Sequence, residues 1–545
     1  MLLPAVALLA PTLEQRWLYL QTNLLPVASV DRAISILERA AKVGYNGVVL
    51  ADSKIARLDN VPDGYTVNAK RFCDAARRLK IEVIPSVLGV GWADGMLSHD
   101  VNLIEAQPIR GVEYRFQGIT ARPVPTVKLV NGGLEEANGD KLVGWNLQDG
   151  PGVSSFREPS PKGGMAVRME SFVKGNEGGN CRLSQVIDVK PWHQYRMQAW
   201  MKTQDLDGSN EVRMMALDSN GKPLLSQDIA AQRTEDWRRV TVVFNSQANA
   251  KVRVYWGIWG GRGGKLWWDG LTVEDAGLLN VVRRPGAPLK AAGIGGPLRE
   301  GVDFEPVSDP LLGKRPWDGE YTFDQDPPLL RRKTSGSIRD SDVVTVDAYH
   351  AVTTDQGKSA ICPSEPATRR IEERELAEVS RVFGPDGLLL SLDELRVANW
   401  CGACAARKST PGAIFAEEIN NQVSMARKAS PRARLCFWSD MFDPAHNAVD
   451  GYYLSNGTWS GSWKGLPKDA LVLNWNHGGR AKSLPFFAGL GLKQVLAGYY
   501  DGNVEDIKTW LADAKAVKGV TGVMYTTWTD NYSNIEAFAK AAWGA

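Results

Sequence analysis

Histidine is scarce, with 5 in 545 residues and none in a His-x-His or His-Glu-x-x-His arrangement. The spacing by which zinc hydrolases gather their ligands is therefore missing, a metal-dependent hydrolase is disfavoured, and neither metal nor cofactor is expected. Cysteine is scarce too: 6 thiols in so long a chain make no disulfide framework. Cys401-Gly-Ala-Cys404 is the one close pair, and without a second pair a disulfide or two free thiols is favoured over zinc. Excess charge of either sign is absent, the formal net charge being +2 with no basic run, so nucleic acid is not an expected partner. Long apolar runs are absent as well, and nothing approaches the roughly 20 residues that span a bilayer. Residues 1–10 are apolar but lack a basic flank. They read as a weak or truncated signal segment or as a plain apolar start, so export is the expectation and a cytoplasmic protein the alternative.

Tryptophan and glycine are plentiful, at 19 and 54. Aromatic faces suit neutral, hydroxylated ligands whose C–H groups pack on the ring. At this length two domains, or one barrel with an insertion, is the prior.

The start of the chain alternates strand and helix. Arg16 to Leu20, Gly47 to Leu50 and Ile81 to Ser86 read as strands, and Asp31 to Val43 and Asn68 to Lys80 carry helical stripes. This βαβαβ order predicts a parallel sheet with helices outside. From Gly144 to about Asp275 the pattern changes to short alternating segments punctuated by Gly, Asn and Asp, such as Tyr195 to Met201 and Lys251 to Trp256, which predicts a β-sandwich. A connection rich in Pro, Gly and Arg then leads back to α/β alternation. Asp342 to His350 is a strand, either an extra one or part of the resumed barrel, Pro366 to Phe383 a helix opened by proline, and Leu388 to Leu392 an apolar strand ending in two carboxylates, Asp393 and Glu394. The alternation continues through strands at 434–438, 470–474, 494–499 and 522–527, and the last helix opens on Ser533-Asn-Ile-Glu536, a capping-box pattern.

These segments make an α/β protein, a (β/α)8 TIM-like barrel interrupted by an inserted all-β sandwich of jelly-roll type. The expected division is a barrel first part at 11–125, the sandwich at 140–280, and a barrel second part at 281–545.

In such a barrel the C-terminal ends of the strands face one pocket. Here they supply Tyr349 and His350; Asp393, Glu394 and Arg396; Trp438 and Asp440; Asn474 and Trp475; Tyr499 and Asp501; and Trp528 and Asp530. Aromatic walls with a few carboxylates and amides are what a sugar site needs. Asp393 and Glu394 are the catalytic candidates and the others the substrate-binding ones. A general acid must be protonated near neutral pH; burial and an adjacent carboxylate favour that for Glu394, while Arg396 opposes it if it faces the same pocket.

The Asp-Glu pair after the fourth strand, Trp438-x-Asp440 after the next, the tyrosine-bearing seventh strand and Gly522-Val-Met-Tyr-Thr-Thr-Trp-Thr-Asp530 at the last resemble glycoside hydrolase family 20, the β-N-acetylhexosaminidases. The resemblance implies an exo-acting, retaining, substrate-assisted glycosidase working on an oligosaccharide or glycoconjugate. Glu394 would then be the acid/base and Asp393 the residue orienting the 2-acetamido group, with Tyr499 bonding the acetamido oxygen. Trp475 and Trp528 would wall the pocket, and Asp440 and Asp530 would hold outer hydroxyls. The family's first-strand arginine and third-strand histidine have no counterpart in Trp17 to Asn23 or Val87 to Trp92. A conventional retaining glycosidase with Asp501 as nucleophile stays open, as does a non-catalytic carbohydrate-binding protein. Trp145 to Gly150, Asp236 to Val242 and Gly264 to Gly270 resemble the jelly-roll carbohydrate-binding modules of bacterial glycosidases. Trp256, Trp259, Trp267 and Trp268 would furnish either a stacking surface or core.

Overall fold

A computed structural model of the chain describes residues 13–545; the apolar start at 1–10 lies outside them. The chain divides into two compact units, the first holding 13–103, 360–399 and 404–545, the second 104–359 and 400–403.

The first unit is a closed barrel of eight parallel strands: β1 (Gln15–Gln21), β2 (Gly47–Ala51), β3 (Glu82–Val87), β4 (Gly387–Leu390), β5 (Arg434–Trp438), β6 (Leu471–Asn474), β7 (Lys493–Leu496) and β8 (Val520–Tyr525). β8 pairs back with β1, in register from Gln15 beside Gly522 to Leu18 beside Tyr525. Strands buried on both faces need apolar residues at every position, hence Gly-Leu-Leu-Leu in β4, all four buried. Alternate residues point inward. Trp17 and Tyr19, Val49, Ile84, Leu389, Cys436 and Trp438, Leu471 and Leu473, Val495 and Ala497, and Met524 fill the interior. Gly47 is small because a Cβ there would lie 2.4 Å from the Trp17 indole.

Among the described residues, seven helices of nine residues or more accompany the strands: α1 (Val27–Lys42), α2 (Gly64–Arg78), α3 (Pro366–Phe383), α4 (Pro411–Ala429), α5 (Arg480–Gly489), α6 (Asp506–Ala514) and α7 (Ile535–Trp543). Pro366 opens α3 and Gly384 closes it in the left-handed conformation. The 439–470 connection between β5 and β6 carries only two 3₁₀ turns, Asp440–Phe442 and Ser462–Gly465, and a two-residue strand. No side-chain cap opens α7; Ser533 bonds Asn531 instead of completing the capping box. Among the described residues, no helix is long and apolar enough to cross a membrane.

The second unit is all-β. A five-stranded sheet and a four-stranded sheet share a core that contains Trp256 and Trp268, both fully buried. Trp267 is nearly buried, its indole N–H on Glu158, so three of the four candidate stacking rings are packed away. A further six-stranded sheet holds Ala106–Gln117 and Val343–Ala351 as antiparallel neighbours. The second unit thus begins before residue 125 and runs past 281. Val343–Ala351 alternates buried and exposed residues, the mark of an antiparallel strand with two unlike faces. It belongs to no barrel, which corrects the placement of Tyr349 and His350 at a barrel rim.

All six cysteines are buried and none is in a disulfide, so Cys401 and Cys404 are not joined to each other. In the first unit the sulfurs of Cys362 and Cys404 lie 3.7 Å apart.

Candidate active site

Inward parity carried past the strand ends gives the site its order. Leu389 leads through Ser391 to Asp393, Trp438 to Asp440, Leu473 to Trp475, Ala497 to Tyr499, and Met524 through Thr526 to Trp528. Asp393 accepts a 3.0 Å bond from the Ser391 hydroxyl. Burial, then the negative charges of Asp440 and Glu394, push its carboxyl above the ordinary aspartate range.

Glu394 has outward parity, yet it joins the same cluster because its backbone turns left-handed there, at φ 50°. Its amide donates to Asp440 Oδ2 at 2.9 Å. Its carboxylate takes a 2.7 Å bond from the Arg396 guanidinium, and its side chain keeps 18% of its surface exposed. Arg396 in turn lies over the Tyr453 ring, 4.8 Å from the centroid. The pair thus has one carboxyl held by a hydroxyl and one by a cation, on a turn fixed from beneath.

Gly91, in the loop after β3, underlies that turn: a Cβ at this position would stand 2.1 Å from the Asp393 carbonyl oxygen. The loop itself is anchored one residue past β3, where the Leu88 amide donates to buried Glu375 at 2.8 Å.

Asp440 is wholly buried. Besides the Glu394 amide it accepts Asn447 Nδ2 at 2.9 Å and the Trp475 indole N–H at 3.3 Å. Burial raises its carboxyl, and the three donors oppose that. It fixes the turn and the Trp475 ring instead of facing solvent.

Aromatic rings line the same mouth. Tyr19 packs edge-on against Trp438 at 5.6 Å and Trp528 at 5.2 Å, and Trp438 and Trp528 are 5.9 Å apart. Trp438 is the floor of this group, being buried, whereas Trp528 and Tyr499 are 42% and 47% exposed. Tyr499 sits beside Thr526 in the continuing parallel ladder. Burial and the Asp393 charge both raise the Tyr19 hydroxyl, so it stays a neutral donor.

Other expected site residues are spent elsewhere. Asn474, of outward parity, is fully buried and bonds Ser483 and Gln494 at 2.8 and 3.0 Å. It ties β6 to α5 and β7 and does not face the mouth. Asp501 accepts from the Thr527 hydroxyl, the Trp528 amide at 2.7 Å, the Thr529 amide at 3.3 Å and the Thr529 hydroxyl at 2.8 Å. Burial raises its carboxyl, but these donors outweigh burial and hold it below the usual range. Asp530 pairs with Arg32 of α1 at 2.6 Å and is half-exposed. In the second unit, His350 is buried, accepts Asn245 Nδ2 at 3.0 Å, and is pushed down to about 4 by burial. It is a neutral internal acceptor. Tyr349 is its neighbour on the same strand.

Two participants escape a reading of strand ends. Tyr19 is legible as the inward neighbour of Trp17. Gly91 lies in an irregular loop whose sequence carries no periodic signal.

No family model matches the chain, and no curated protein matches it. Among solved structures, the chain is similar to a CBM4 structure, at 16% identity over 27% of this chain and 99% of that one, TM-score 0.20. It is similar to a rhamnosidase from Novosphingobium sp. PP1Y, at 9% identity over 98% of this chain and 58% of that one, TM-score 0.35. It is also similar to the Streptomyces plicatus N-acetyl-beta-hexosaminidase in complex with Thio-NAglucal, at 11% identity over 98% of this chain and 64% of that one, TM-score 0.38. The chain thus spans less than two thirds of the length of both glycosidases.

Proposed function

We propose that the first unit is a retaining glycoside hydrolase acting on β-linked N-acetylhexosaminides by substrate assistance. The observation that carries this reading is the adjacency of Asp393 and Glu394 at the mouth of a parallel barrel, in unlike settings, beside Tyr19, Trp475, Tyr499 and Trp528. Aromatic faces stack on a pyranose, and adjacent carboxyls in different environments divide acid and orienting roles.

In this scheme Glu394 gives its proton to the glycosidic oxygen as the C–O bond breaks. The substrate's acetamido carbonyl oxygen attacks the anomeric carbon and forms a cyclic intermediate. Asp393, as carboxylate, accepts from the acetamido N–H and stabilises the positive charge that develops on the nitrogen. Water then opens the ring, with Glu394 taking its proton. Arg396 orients Glu394 and favours the carboxylate that is left once the proton has been given up, and Asp440 fixes the turn that carries it.

The alternative of a conventional carboxylate nucleophile is weakened at Asp501, whose two oxygens are engaged by four donors from the loop after β8. A non-catalytic sugar-binding protein, the other alternative, would hold the same sugars without cleaving them.

The test is hydrolysis of 4-nitrophenyl β-glycosides, with and without a 2-acetamido group, by the wild type and Asp393→Asn. Activity confined to acetamido sugars and greatly reduced in the variant is expected. Equal activity on plain hexosides would overturn substrate assistance, and no hydrolysis of any member would favour the binding protein.

A further inference from the structure

His446 lies in the helix-free connection after β5, and nothing above gives it a role. Its loop is rigidly built. Asp443 accepts the Ala445 amide at 2.8 Å and Asn476 Nδ2 at 2.9 Å, the His446 amide donates to the Asp443 carbonyl at 2.9 Å, and Asn447 reaches Asp440. These hydrogen bonds tie the 440–447 segment to itself and to Asn476, and so fix where the His446 side chain stands.

The imidazole stands edge-on to Trp475, with ring centroids 4.6 Å apart. Trp475 is the ring whose indole N–H is held by Asp440. The negative charges of Asp443 and Glu394 both act on the imidazole, while burial opposes its protonation and leaves it below the usual histidine range. At neutral pH it is the uncharged ring.

Its two nitrogens differ. Nδ1 is buried and has no partner, while the residue as a whole is half-exposed, so the open edge of the ring carries Nε2. With Nδ1 enclosed, Nε2 is the nitrogen that can meet a ligand, and the proton is assigned there, where it can be donated. The outcome is a fixed N–H donor on the open side of the ring, beside Trp475 and within the field of Glu394.

Resting on the glycosidase reading, we propose that His446 is a substrate-contacting residue that recognises a sugar in the leaving-group position, its Nε2–H donating to a hydroxyl or ring oxygen of that sugar. Glu394 protonates the oxygen that joins the two sugars, so a donor near Glu394 meets the departing unit. An aryl leaving group offers no such oxygen. The substrate class is accordingly an oligosaccharide rather than a simple aryl or alkyl glycoside, and the discrimination resides in KM.

The experiment compares N,N′-diacetylchitobiose with 4-nitrophenyl N-acetyl-β-glucosaminide for the wild type, His446→Ala and His446→Gln. Loss of one hydrogen bond to a neutral acceptor corresponds to about tenfold in kcat/KM. His446→Ala is expected to lose about tenfold on the disaccharide, chiefly through KM, and less than about threefold on the aryl glycoside. His446→Gln, which retains a side-chain N–H, is expected to recover part of the disaccharide activity. Equal losses on both substrates would reveal a merely structural role and overturn the inference, as would no loss on either or a wild type that cleaves only the aryl glycoside. A wild type that cleaves neither would instead sink the glycosidase reading on which the inference rests. If His446→Ala fails to fold, the same two-substrate comparison on His446→Gln decides, with a loss on the disaccharide larger than that on the aryl glycoside expected and equal losses on both, or none on either, overturning the inference.

Discussion

The substitution Gly91→Ala adds one methyl group beneath the catalytic turn. The new Cβ would stand 2.1 Å from the Asp393 carbonyl oxygen, 3.1 Å from the Glu394 carbonyl carbon and 3.2 Å from its oxygen, whereas real Cβ atoms essentially never come within 3.0 Å of a neighbour. All three neighbours are backbone, so no side-chain rotation relieves the clash, and the turn must move by about 1 Å relative to the barrel. A displacement of about 1 Å in a catalytic constellation costs about 100-fold in rate, while overpacking of this kind costs about 1–3 kcal/mol of stability, which a large domain survives. The expected result is a folded protein, by circular dichroism and thermal unfolding, whose kcat is about 100-fold lower with KM much less affected. Gly478→Ala is the control, since its Cβ would meet nothing within 4 Å, and its kinetics should match the wild type. Wild-type kcat in Gly91→Ala would refute the view that the turn at Asp393 and Glu394 is held in place from the loop after β3.

Asp440→Asn removes a negative charge that helps hold the Asp393 carboxyl above its ordinary range. If the carboxylate of Asp393 is the working form, activity rises with pH on the acid limb, and the variant's limb moves to lower pH while its maximal rate falls; a limb that stays put would contradict the coupling. Glu375, on the buried face of α3, is pushed up to about 7 by burial against an ordinary value of 4.5. Its folded-state value is the higher one, so the stability it contributes is fully present below about pH 4.5 and is lost as pH rises through about 7. Glu375→Gln, permanently neutral, should equal the wild type near pH 4.5 and exceed it by about 3 kcal/mol near pH 9 in urea unfolding, and parallel pH profiles would count against it. For Asp501 the sign reverses, because its folded value is depressed: its contribution is present above the ordinary carboxylate range and lost as pH falls below it. Asp501→Asn should destabilise by about 1–3 kcal/mol at neutral pH, less in acid, and keep measurable activity, whereas a nucleophile's replacement would abolish turnover.

Much of this architecture is legible along the chain, and the failures have identifiable causes. Strand 434–438 and helix 366–383 end where their apolar patterns end, because a buried strand and an amphipathic helix must both be continuous to be stable. Helix α5 is not legible: Gly478 and Gly479 precede it and Pro485 lies inside it, so the local signals favour a loop and tertiary packing overrides them. Asn474 and Trp475 both fall at the rim by their place in the sequence, although neighbours on one strand face opposite ways. Counting outward from inward-facing Leu473 selects Trp475 and sends Asn474 into the wall. The run at 343–351 looks like a barrel strand by composition, and only its pairing with residues 106–117 reveals an antiparallel one. Glu394 is the opposite case, a residue of the wrong parity brought into the site by a left-handed backbone that no side-chain pattern announces.

The central claim is that Glu394 protonates the leaving oxygen, and leaving-group dependence tests it most directly. Acid assistance matters little when the departing group is a stabilised anion and greatly when it is not. We would measure kcat/KM for wild type and Glu394→Gln on 4-nitrophenyl and unsubstituted phenyl N-acetyl-β-glucosaminides. The account predicts that the variant loses at least about 100-fold more on the phenyl substrate than on the nitrophenyl one. Equal losses on the two would contradict it, because a residue that only binds or positions the sugar does not sense what is leaving.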